Sequence, residues 1–344
     1  MSIQTDTLEA HTGPEPTPNP TGARARRLAT LVGGRILRSR PLLLVILIVA
    51  LSGYMTYRYD ISFPTSSNIE AVLLNAAVYG ILVVGMMLLM IGGAFDLSIG
   101  GVLALSGVVS GQLIATSGWP VVPGVAAGLV VGAVAGLFNG IIVTQIRINA
   151  LIATLATVGI FRGITQLITG TGVAPISDSF AKIGQSDFLG LQMPFWIMLV
   201  VVLAGSWAVS QTRFFRQYYY VGGNRRAATL SGIRSERLML VAFVIMGTLA
   251  GLAGVLNAAR LDAAQVSAGT GIELQTITAA VLGGASLRGG EGTVLGGVLG
   301  VLFIALLQNA LIIMDVNVFW QNIVIGVVLL LAVSLDRWQQ KVEV

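Results

Sequence analysis

Residues 85–107 read GMMLLMIGGAFDLSIGGVLALSG, two apolar runs with a single carboxylate, Asp96, between them. How that carboxylate is read decides the fold. At the centre of one continuous membrane helix it costs about 2.5–3.5 kcal/mol on insertion scales. At the start of a second helix it can accept from free backbone N–H groups and gains from the positive end of the helix dipole. Ser98 is placed to assist. The stretch therefore reads as two spans with a break, with Asp96 and Ser98 as a helix cap or hinge.

The rest of the chain agrees on the solvent. Of 344 residues 55% are hydrophobic and 10% charged, and the mean hydropathy is +0.86. That composition belongs to an all-α polytopic membrane protein. Apolar runs long enough to span fall near 41–58, 69–92, 97–116, 120–143, 149–169, 193–210, 238–259, 274–287, 293–314 and 317–335. Ten crossings put both termini on one face. Every Lys and Arg except Arg58, Arg162, Lys182 and Arg260 falls on that face, which the positive-inside bias makes cytoplasmic. The division expected is a disordered cytoplasmic tail over 1–40, a membrane domain over 41–336 and a short cytoplasmic tail over 337–344. The membrane domain splits into halves of about 41–192 and 193–336, with a cytoplasmic loop at 211–237.

Two echoes point to a chain built twice. FDLSIGGVLALSGVVS at 95–110 overlays IELQTITAAVLGGASL at 272–287, so that Asp96 meets Glu273. FNGII at 138–142 resembles QNALI at 308–312, pairing Asn139 with Asn309. An odd number of crossings separates the first pair, which is the geometry of an inverted repeat. Asp96 is then expected near the inner face and Glu273 near the outer one. Gly124, Gly128, Gly132, Gly136 and Gly140 form a bare stripe along one helix. In lipid, close backbone contact across such a stripe is a main source of helix association.

Catalytic chemistry is hard to place on this chain. There is no cysteine, and the single histidine, His11, lies in the Pro- and Thr-rich tail, so a metal site is not expected. No G-x-x-x-x-G-K-[ST] is present; GGEGTVLGG at 289–297 lacks the lysine. The spans carry no His relay or acidic pair of the kind a proton pump needs. The net charge of +5 is set by the one-sided loops and points to no nucleic-acid partner. The most informative polar segment is TRFFRQYYYVGGNRRAATLSGIRSERL at 212–238. It reads as a basic aromatic lead-in, a Gly-Gly break and a short helix from Asn224, its N-cap, to a stop at Ser231 and Gly232.

GGAFDLSIGGVLALSG, RFFRQYYYVGGNRRAATLSGI, AGLAGVLNAARLDAAQVSAGTGIELQTITAAVLGGASLRGGEGTVLGG and VFWQNIVIGVVLLLAVSLD, in this order, resemble permease subunits of bacterial ABC sugar importers. The ribose, xylose, galactose, rhamnose and autoinducer-2 group is the nearest, over about residues 41–336. Two local departures, GGAFDLS for GGIDLS and QNALIIM for an Asn-Gly ending, leave the substrate open.

The resemblance implies a non-enzymatic transport subunit of the bacterial inner membrane, paired with a second permease as homodimer or heterodimer. A cytoplasmic ATPase would bind ATP and Mg, and an extracytoplasmic sugar-binding protein would deliver the cargo. It implies that Asn224 to Ile233 sits in a groove of the ATPase. Arg225 and Arg226 would meet acidic groups there, and Ala227, Ala228 and Leu230 would supply apolar contact. Asn75, Asn139, Thr154 and Asn309 are candidates for the sugar path. An ion-coupled secondary transporter, or an ABC permease for branched-chain amino acids or nucleosides, remains the alternative.

Overall fold

The computed structural model describes residues 40–170, 173–175 and 177–342. Residues 1–39 of the expected disordered tail, His11 among them, lie outside the described residues, and Arg40 opens the first helix. From Arg40 the chain runs through helices α1 (Arg40–Arg58), α2 (Ser66–Ile91), α3 (Ile99–Ala115), α4 (Val121–Thr144) and α5 (Ala150–Thr169). A short segment follows, made of β1 (Val173–Pro175), α6 (Asp178–Gln185), β2 (Asp187–Phe188) and β3 (Leu191–Gln192). Next come α7 (Met193–Gln211), α8 (Arg213–Gly223), α9 (Arg225–Leu230) and α10 (Ser235–Leu261). The chain continues through β4 (Ala263–Gln265), α11 (Ile272–Leu282), α12 (Val294–Ile313) and α13 (Val318–Val342).

An all-α polytopic membrane protein is what this order describes. Among the described residues seven helices are long and apolar enough to cross a membrane; Ile99–Ala115, Ile272–Leu282 and Val318–Ser334 are shorter apolar helices. All ten coincide with the ten apolar runs of the sequence. The helix boundaries follow local chemistry. Thr65 opens α2 by accepting from the Asn68 N–H, and Thr293 opens α12 by accepting from the Gly296 N–H.

Glycine organises the interior. Helix α10 packs against α3 and α4, and a Cβ on Gly132 or Gly136 would run into the carbonyls of Gly247 or Phe243. Gly128 lies against Ser110 and Val255, and Gly254 against the Leu103 carbonyl. The stripe on α4 thus meets Gly247 and Gly251 of α10, while Gly254 of α10 packs on α3, glycines the sequence reading did not single out. A second seam joins α11 to α12, where Gly283 abuts Gly296 and Gly300 abuts Ala279. Outside the helices, β1 pairs antiparallel with β4. That pairing ties the segment after α5 to the segment after α10.

The overlay of 95–110 on 272–287 joins positions that the structure uses differently. Asp96 precedes its helix by three residues, whereas Glu273 is the second residue of α11. The two helix starts also meet instead of lying at opposite ends of the bundle: a Cβ on Gly100 would touch the Gly269 carbonyl and the Glu273 carboxylate. The physical reason is length. With 11 residues α11 is about 16 Å long, roughly half of a 30 Å hydrocarbon core. It begins in the interior, where α3 also begins.

A closer structural echo lies elsewhere. Helix α2 ends in Gly92-Gly93-Ala94 and α11 ends in Gly283-Gly284-Ala285. Gly92, Gly93 and Ala94 donate backbone N–H to Leu88, Met90 and Leu89 at 2.9–3.1 Å. Gly283, Gly284 and Ala285 donate to Ala279, Val281 and Ala280 at the same offsets, 2.9–3.0 Å. The middle residue has φ +85° at Gly93 and +98° at Gly284, a conformation that glycine adopts without strain.

Candidate functional site

Three groups of residues carry the polar chemistry. The first surrounds Asp96, which is 1% exposed. Its Oδ1 accepts from the Ser98 backbone N–H and from the Ser98 hydroxyl, both at 2.7 Å. Asn139 donates through Nδ2 to Ser98 Oγ at 2.7 Å and to Asp96 Oδ2 at 3.4 Å. The carboxylate therefore stands beside the helix start, with Ser98 at the N-cap position making no side-chain cap bond of its own. The cluster also fastens α3 to α4.

Asn139 and Thr154, expected along a sugar path, are placed in this knot. Asn139 is fully buried, and Thr154, also buried, donates to the Ala150 carbonyl at 2.7 Å and accepts from the Leu97 N–H at 3.1 Å. Their polar groups close the break between α2 and α3. Glu273, expected as the matching cap, makes no cap bond; α11 is entered from Gly271 at φ +79°, and Glu273 Oε2 is buried without a partner.

The second group runs between α2 and α12. Asn309 and Asn68 exchange amide hydrogen bonds of 2.6 and 3.1 Å. Asn75 bonds Gln308, and Gln308 bonds Gln275 on α11. Gln275 and Gln308 escaped the sequence reading, although glutamines in otherwise apolar helices are themselves a signal.

The third group is the segment from Arg213 to Ile233. The aromatic lead-in is a full helix, α8, and Thr212 accepts from the Phe215 N–H at its start. Asn224 then accepts from the Ala227 N–H at 3.0 Å and opens α9, and Gly232 closes the turn at φ +84°. Arg225, Arg226, Ala227, Ser231 and Leu230 are exposed, Leu230 at 83%, and Ile233 is half-buried. Ala228, expected on the outward contact face, is turned into the body at 5% exposure. A groove of about 510 Å³ runs between Tyr219 and Tyr220 on one side and Ala227, Ser231 and Ile233 on the other.

Helix α8 is bound to α10, to the end of α2 and to the loop after α11. Tyr218 donates its hydroxyl to the Leu238 carbonyl at 2.6 Å, and Tyr219 donates to the Gly292 carbonyl at 2.8 Å. Burial raises both phenols above the ordinary range, more than Arg216 lowers Tyr219, so they stay protonated donors. Gly290 donates to the Ile91 carbonyl at 2.9 Å. Gly222 is packed so closely on Ile91 and Gly290 that a Cβ would collide with both, and Gly289 abuts Gly93 and Gly222. One helix thus touches the end of α2 and the loop after α11 at a single point.

A family model described as the permease component of branched-chain amino acid transport systems matches residues 68–333. The chain belongs to this permease family. Among its relatives, the ribose import permease protein of Escherichia coli K12 is 39% identical over 81% of this chain and 88% of its own length. The L-arabinose ABC transporter permease protein of Azospirillum brasilense is 37% identical, over 81% and 82%. The xylose transport system permease protein of Escherichia coli K12 is 32% identical, over 88% and 93%. No solved structure matches the chain. In this permease the matched region takes in the Asp96 cluster, the amide row and the whole of α8 and α9.

Proposed function

We propose that the permease forms the membrane path of an ATP-driven importer for a neutral monosaccharide in the bacterial inner membrane. A separate ATPase subunit docks on α8 and α9, a binding protein delivers the sugar from the other side, and two permease subunits enclose the path. The observation that supports this reading is that α8 meets both the end of α2 and the loop after α11. A push on the exposed α9 reaches the end of α2 and the loop after α11 through Gly222 and the Tyr219 hydroxyl. ATP-driven closure then shifts the permease between two access states to the extent that the ATPase binds those states unequally. The three named relatives, each a pentose permease, support the sugar class.

The test is uptake into vesicles holding the permease with its ATPase and binding protein, offered D-ribose, L-arabinose and D-xylose. ATP-dependent uptake of at least one supports the proposal. Uptake by the permease alone that stops when an ion gradient is collapsed would replace it with secondary transport. The family description also favours a second reading, branched-chain amino acids; uptake of leucine with none of a sugar would establish that one.

A further inference from the structure

Four polar side chains meet between α2, α11 and α12. Asn75 donates through Nδ2 to Gln308 Oε1 at 3.0 Å, and Gln308 donates through Nε2 to Gln275 Oε1 at 3.2 Å. The three amides run head to tail. Asn75 Oδ1 at one end and Gln275 Nε2 at the other have no hydrogen-bond partner among the described residues. The Tyr79 hydroxyl lies beside Gln308 and within electrostatic reach of Glu273, whose Oε2 is buried and unpartnered.

Depth and exposure decide what this row faces. Tyr79 sits near the midpoint of the 26-residue α2, and α11, which carries Gln275, begins in the interior. Asn75, Tyr79, Gln275 and Gln308 are all half-buried, neither sealed in the core nor fully out. Hydrocarbon offers such groups no hydrogen bonds, and polar residues at that depth face a bundle interior or a water-filled pathway. A row with a free acceptor at one end and free donors at the other suits a neutral polyol, because each hydroxyl both donates and accepts.

We propose that Asn75, Tyr79, Gln275 and Gln308 form the station at which the sugar's hydroxyls are held midway along the path. This placement rests on the sugar-importer reading above. It replaces Asn139, whose Nδ2 is held by Asp96 and Ser98, and Thr154, held by Ala150 and Leu97, with Gln275 and Gln308, and it keeps Asn75. Glu273 stands behind the row, its Oε2 buried and without a hydrogen-bond partner among the described residues.

The absence of cysteine makes a direct test available. Gln275→Cys in the full importer, in vesicles, is treated with a membrane-impermeant methanethiosulfonate, with Leu137→Cys on the outer face of α4 as the lipid control. Labelling at 275 and none at 137 is expected, with slower labelling when D-ribose, L-arabinose or D-xylose, whichever is transported, is present with its binding protein. In parallel, Gln275→Met and Gln308→Met should each lower sugar uptake about tenfold, the worth of roughly one hydrogen bond. No labelling at 275, or unchanged uptake in both methionine variants, overturns the site. If a methionine variant fails to insert, the labelling result alone decides. A wild-type importer that moves none of the three sugars would instead count against the sugar reading itself.

Discussion

Tyr219 donates its hydroxyl to the carbonyl of Gly292, 2.8 Å away across 73 residues of chain. That bond and the one from Tyr218 to Leu238 are the side-chain fasteners of α8. Tyr219→Phe keeps the ring and removes one bond worth about 0.5–1.5 kcal/mol. We expect normal amounts of inserted protein, a few-fold lower uptake and more ATP hydrolysed per sugar moved. Unchanged stoichiometry would mean that α8 does not transmit force through this bond.

Tyr218→Phe should act differently, because the Leu238 carbonyl it serves lies in the buried interior. The carbonyl keeps its helical partner in α10, so the loss is that of one fully buried hydrogen bond, near the upper end of about 0.5–1.5 kcal/mol. The expected outcome is a lower melting temperature in detergent, larger than for Tyr219→Phe. The order of the two melting temperatures is the check.

Asp96→Ala removes the acceptor for the Ser98 N–H and Ser98 hydroxyl and leaves Asn139 with one partner fewer. The stability loss should reach about 1–3 kcal/mol for each stranded group, while Asp96→Asn, which retains one oxygen, should lose less. Inserted protein measured against uptake separates a cap from a transport role. Normal insertion of Asp96→Ala with uptake abolished would make Asp96 a participant in transport.

Gly136→Val would drive a side chain into the Phe243 carbonyl and Gly247. Overpacking typically costs about 1–3 kcal/mol, and backbone against backbone leaves little room to relax, so loss of folded protein is expected. Gly163→Ala, where nothing lies within 4 Å, should be silent. Fluorescence-detected size exclusion of the two variants tests the contrast.

Replacing both Arg225 and Arg226 by Glu reverses two exposed charges on α9. Insertion should be normal, and co-purification with the ATPase and coupled uptake should fall together. Retention of both would move the docking surface away from α9.

Much of this architecture was legible in the sequence. Hydropathy located all ten apolar helices because each stretch is apolar over enough residues, and Asn224 and Gly232 announced the limits of α9. What hydropathy does not encode is depth. Nothing local to Glu273 indicates that α11 begins halfway down and beside Gly100. Asn139 looked free because its partners, Asp96 and Ser98, are more than forty residues away in the chain. Helix α8 was read as a lead-in because its two closing glycines looked like a break before the helix that follows.

The contacts among Gly93, Gly222, Gly289 and Gly290 are main chain on main chain. Their geometry owes nothing to which side chains the surrounding helices carry. The amide row, by contrast, is made only of side chains on elements that meet this junction at their ends. On the reading proposed above, single substitutions in the row would retune cargo preference while leaving intact the drive that moves the cargo.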